Sequence, residues 1–145
     1  MDKNDFIRYV KDATKFIFNK EYEISPCIIA FKDNNFVYIP LEGLDKDNIA
    51  QMILQFRNTI PLMTYISEAW AVNKNIGDEI SVAPSKDPNR IEVVLCNLYF
   101  SYIESMVIMA KIIREPGCPA VLDDWETLER MSLSGRFHEQ PRIDN

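Results

Sequence analysis

The sequence predicts an α+β domain: an antiparallel or mixed sheet of about five strands in the order α-β-β-α-β-β-β, with the helices packed on it and an irregular C-terminal tail. Three observations predict it. Apolar residues recur at helical spacing in two segments, 4–19 and 45–60. Short apolar runs bounded by turn residues lie between and after them, as strands do. Neighbouring runs are close enough to join as hairpins, which favours sequential antiparallel pairs and a sheet covered on one face.

Each element has its own justification. In the first helix Phe6, Val10, Ala13 and Ile17 recur at steps of three and four, Asn4 or Asp5 caps the start, and Phe16 and Phe18 widen the stripe. Cys27–Phe31 follows Pro26 as the first strand, and Lys32-Asp33-Asn34-Asn35 is turn chemistry, since Asp and Asn tolerate left-handed backbone. Phe36–Pro40 returns as the second strand. Asp45 caps the second helix, whose stripe is Ile49, Met52, Ile53, Phe56 and Ile60. Pro61 ends it, because the residue before proline is pushed out of helical geometry.

A strand is expected over Met63–Val72, then a polar loop over 73–89 with an extended piece at Ile80–Val82. Arg90–Leu98 and Tyr102–Arg114 follow as strands joined through Tyr99-Phe100-Ser101. Their runs Val93-Val94-Leu95 and Met106–Ala110 do not alternate, which marks burial on both faces. Pro116-Gly117 breaks the sheet, and Ala120–Glu129 fits either a strand or a helix. The polar residues after it place a single domain at 1–131 and a flexible tail at 132–145. Val10, Ile17, Ile29, Ile53, Phe56, Val93, Leu95 and Ile108 are the expected core.

Composition bounds the function. The 145 residues are 47% hydrophobic and 26% charged, ordinary for one globular domain. The net charge is −6, and the sixteen Lys and Arg residues form no cluster. Duplex binding needs clustered cations that displace counterions from phosphate, so no nucleic-acid partner is expected. An anisotropy titration at physiological salt should therefore show no submicromolar duplex binding; a tight, steeply salt-dependent affinity would overturn this. The same charge disfavours an anionic membrane surface. The polar start Met1-Asp2-Lys3-Asn4-Asp5, the short longest apolar run Met106–Ala110, and three widely spaced cysteines (Cys27, Cys96, Cys118) lead to an expected cytoplasmic location.

Few constellations carry chemistry, and no cofactor is expected. His138 is the single histidine, which excludes a histidine-rich metal site within one chain and leaves the cysteines without a nearby base. The four glycines are isolated, so no phosphate-cradling loop is present. Glu68, Glu92 and Glu104 each sit inside an apolar strand. Carboxylates there are costly unless paired. Converging near Arg90 and Lys111 they would make a metal site, for a metal-assisted hydrolase or a small-ligand-binding domain. Spread along the sheet they are a ladder of cross-strand ion pairs. Asp123-Asp124-x-Glu126 lacks the spacing of a calcium loop and reads as a helix start.

Ser67-Glu68-Ala69-Trp70, Pro84-x-x-x-Pro88-x-Arg90-x-Glu92, Lys111-Ile112-Ile113-Arg114 and Ser134-Gly135-Arg136-Phe137 together resemble a family of small uncharacterised prokaryotic and phage-encoded proteins, over residues 60–137. The resemblance implies architecture and carries no activity. The leading expectation is a non-enzymatic protein-interaction domain, a homodimer or bound to another protein. Strands apolar on both faces are more than two helices cover, and self-association buries such surface. Tyr65 with Trp70, Trp125 with Phe137, and the strand residues Met106 and Ile108 are the candidate surface, since Trp and Tyr are favoured at interface centres. A charge at Met106 or Ile108 is then expected to dissociate the dimer.

Overall fold

The computed structural model describes residues 1–73, 90–100, 104–127 and 131–135. Its elements are α1 (Lys3–Glu21), β1 (Cys27–Lys32), β2 (Asn35–Pro40), α2 (Lys46–Thr59), β3 (Leu62–Asn73), β4 (Ile91–Tyr99), β5 (Ser105–Ile113), β6 (Val121–Thr127) and β7 (Met131–Gly135). The strands form one antiparallel sheet in the order β2-β1-β3-β4-β5-β6, with β7 paired to β3 off this path. This is the α+β class and, through β5, the element order that the sequence predicts.

Two strands go beyond that order. The ambiguous segment after Pro119 is β6, an edge strand. β7 falls across the expected start of the tail, so the boundary at 131/132 cuts a strand; residues 136–145 lie outside the described residues. Met131-Ser132-Leu133-Ser134 does alternate with the period of a strand, but its serines read as loop composition. The expected loop lies outside the described residues from 74 to 89.

The helices are capped as their polar ends dictate. Asp45 Oδ1 accepts the Asn48 N–H at 2.8 Å, the predicted cap of α2. In α1 the cap is Asp2, whose Oδ1 accepts the Asp5 N–H at 2.8 Å, so the helix begins earlier than the periodicity suggests. Asp33 and Asn34 have φ of 53° and 63°, the two positive values of a type I′ turn joining β1 to β2. Lys32 pairs with Asn35 across it.

The helices cover opposite faces of the sheet, where one covered face was expected. Phe6, Val10 and Phe18 of α1 pack with Cys27, Ile29, Ile66, Val94, Cys96 and Ile108. Ile49 and Ile53 of α2 pack with Ile28, Ala30, Met63, Tyr65 and Tyr99. Successive strand residues alternate between these sets because Cβ direction alternates along a strand. A third buried set, Ala69, Ala71, Val93, Leu95 and Met109, continues the α2 side. Of the expected core, Val10, Ile29, Ile53, Val93, Leu95 and Ile108 are buried, and Ile17 and Phe56 are half-buried.

β3 has a divided edge. Leu62–Ile66 pairs with β1 and Ala69–Asn73 with β7, both opposite the side held by β4. Ser67 and Glu68 lie in the gap between these partners.

Candidate functional site

The three candidate glutamates are held apart by separate partners. Glu92 takes a bidentate contact from Arg114, with Nε at 3.1–3.2 Å and Nη2 at 3.0 Å. Hydrogen bonding to Glu92 raises the Arg114 pKa above its usual value. Glu68 Oε2 accepts the Ile24 N–H at 2.8 Å, so its carboxylate ties down the segment leading into β1. Glu104 Oε2 meets Lys3 Nζ at 3.0 Å.

Register explains the separation. Glu68 faces Val94 and Trp70 faces Glu92, which puts Glu68 and Glu92 on the α1 side. Glu104 precedes Ser105, the partner of Tyr99 at the other end of β4. Lys111 pairs with Val93 and so projects from the opposite side, while Arg90 stacks on the Trp70 ring at 4.7 Å. Among the described residues no group of three His, Cys, Asp or Glu side chains is placed to hold a metal ion. The ion-pair arrangement is what the geometry supports for Glu92. Asp123, Asp124 and Glu126 are exposed on β6, so they guard a sheet edge rather than open a helix.

The residues expected to form a dimer surface are mostly inside the chain. Tyr65 is fully buried under α2, and Ile108 is buried on the α1 side. Met106 and Trp125 are half-buried against the same α1 core, and Trp70 is half-buried beside Arg90. A charge at Ile108 would enter the core, so it cannot report on dissociation. Phe137 lies outside the described residues.

The exposed apolar surface is elsewhere, between α1 and β2. Phe16 is 70% exposed, Tyr38 54%, and Tyr9 and Phe36 37% each. The Tyr9 and Phe36 rings stack at 3.6 Å, and Phe36 meets Phe31 edge-on at 5.0 Å. Two adjoining hollows, of about 470 and 600 Å³, share Phe16, Ile17 and Tyr38 and make one groove along the helix. Ile29, Cys27 and Ile66 form its floor, and Asp12, Lys20, Glu21 and Glu23 lie at its margins.

Cys27 and Tyr38 meet in this groove. Burial pushes the Cys27 thiol up to about 11, against a smaller opposing effect of its hydrogen bond with Tyr38. Burial, then the neighbouring Cys27, raises the Tyr38 phenol as well. Neither supplies a base or nucleophile at neutral pH.

The groove residues were legible in part. Tyr9, Ala13 and Phe16 recur at steps of four and three, a second apolar stripe beside the buried Phe6-Val10-Thr14-Phe18 line. From spacing alone, Ala13 and Phe16 belong to the same core face as Phe6, Val10 and Ile17, and Tyr9 is outside it. Compared with protein-family models, curated proteins and solved structures, the chain matches none. Among the described residues no helix is long and apolar enough to cross a membrane.

Proposed function

We propose that the chain is a protein-interaction domain that works by binding rather than by chemistry, and that it docks its partner on the groove between α1 and β2. The observation that carries this reading is the run of large apolar side chains left open along that groove, from Tyr9 and Phe16 to Phe36 and Tyr38. Exposed apolar surface of this continuity costs solubility unless a partner covers it, and aromatic side chains supply much contact area for little lost rotamer freedom. The polar margins set orientation around an apolar centre, the usual anatomy of an interface. The free cysteines, two of them buried, fit a reducing compartment such as the cytoplasm. The metal-assisted alternative draws no support from the glutamates, since each is engaged by a different group.

Panning a displayed random-peptide library against the immobilised chain tests the reading. Peptides rich in aromatic and aliphatic residues should be enriched, and their binding should be lost in Phe16→Glu. Substitution at so exposed a position leaves the core intact. Failure to enrich any peptide, or enrichment of peptides indifferent to Phe16→Glu, would remove the groove as the docking surface.

A further inference from the structure

We propose that β2 pairs with β2 of a second copy across a two-fold axis, with Val37 opposite Val37. The inference rests on the groove reading for its location, the open β2 side of the molecule, and adds a second copy on the outer edge of that strand.

Backbone geometry selects the register. In a two-residue type I′ hairpin the closing pair, here Lys32 and Asn35, exchanges both backbone hydrogen bonds. Bonded and non-bonded pairs then alternate, so Val37 and Ile39 bond inward to Ala30 and Ile28. The N–H and C=O groups of Phe36 and Tyr38 point outward, on an edge that no other described strand covers. A two-fold axis normal to the sheet keeps like faces together, so the axis runs midway between the two copies of one residue. Centring on Tyr38 would set Pro40, which has no N–H, against the Phe36 carbonyl. Centring on Val37 sets Phe36 opposite Tyr38 of the other copy, each pair exchanges both bonds, and Pro40 falls beyond the ladder.

Charge selects the edge. Each chain carries a net −6, so two copies approach best through a surface without charge. Asn35–Pro40 contains no charged residue, whereas the opposite edge strand carries Asp123, Asp124 and Glu126. The first edge lacks the charges that normally prevent strand addition, and the second has them. Pairing also sets Phe36 and Tyr38 of the two copies against each other on the α1 side, a favourable cross-strand combination, and brings the two grooves side by side.

Sedimentation equilibrium of the full chain should give about twice 16.9 kDa across the micromolar range. Val37→Lys and Val37→Glu, at a side chain 43% exposed, should each sediment as a single chain with an unchanged circular dichroism spectrum. An equimolar mixture of the two should recover the doubled mass, because only this register places position 37 against itself. A wild-type chain at the single mass, a Val37→Lys variant that remains dimeric, or complementation by charge pairs at Tyr38 instead of Val37 would each overturn the inference. A monomer that still captures peptides through Phe16 keeps the groove reading and loses the dimer.

Discussion

Replacing Ile53 by Ala should lower the unfolding free energy by about 2–5 kcal/mol, through lost burial and the cavity left behind. Ile53 is fully buried at the centre of the α2 side, among Ile28, Ala30, Leu41, Met63 and Tyr65. Those neighbours are held by the sheet and cannot close on the space. Leu95→Ala should cost a similar amount, since Leu95 is 1% exposed in the third buried set. Leu54, next along α2 and 39% exposed, is the control: Leu54→Ala should change stability by no more than about 0.5 kcal/mol. Urea titrations with an unchanged denaturant slope make the comparison. Losses below about 0.5 kcal/mol at both Ile53 and Leu95 would mean that the faces are assigned wrongly.

The second large effect is alkaline. Burial raises the Cys27 thiol from 9.0 to about 11 and the Cys96 thiol from 9.0 to about 12. Below pH 9.0 folded and unfolded chains both hold these protons, so the thiols add no pH dependence. Above it the unfolded chain releases them first and the folded chain does not, so stability falls as pH rises through the window between the two values. At pH 11 each thiol costs about 2–3 kcal/mol. Tyr99, which burial raises to about 12 against the opposing charge of Arg57, adds about 1 kcal/mol. The sum is comparable with the whole stability of a typical domain, about 5–15 kcal/mol. Unfolding free energies measured from pH 8 to 11 should therefore drop steeply, and the Cys27→Ala, Cys96→Ala double variant should flatten the slope. An identical slope in that variant would show that the thiols do not govern it.

Local signals carried most of the fold. Proline and Asp-Asn turn chemistry bounded β1, β2 and α2, and the 3.6-residue period found both helices because each buries one stripe. What failed was non-local. Glu68 sits in an apolar strand because it bonds the Ile24 backbone, a contact 44 positions away that no spacing rule encodes. Tyr65 reads as surface, and Ile108 as both core and surface, because the sequence does not say which helix covers which face. Their covers come from helices on opposite sides of the sheet. Phe16 looked like core for the same reason: on a helix with two adjacent apolar stripes, only the position of the sheet decides which one is buried. β6 was ambiguous because its acids suit a helix start as well as an exposed edge.

The divided edge of β3 bears on how this sheet breathes. Its N-terminal half is protected by β1, a strand fixed between two neighbours and under both helices, and its C-terminal half by β7, which among the described strands is paired only to β3. The two halves share β4 on the other side, but at the gap marked by Ser67 and Glu68 no described strand continues the ladder to carry protection from one to the other. Amide protons facing β1 exchange with solvent only when the centre of the sheet opens, whereas those facing β7 exchange whenever that strand lifts away. A single twelve-residue strand thus belongs to two cooperative units, with its change of allegiance at Ser67–Glu68.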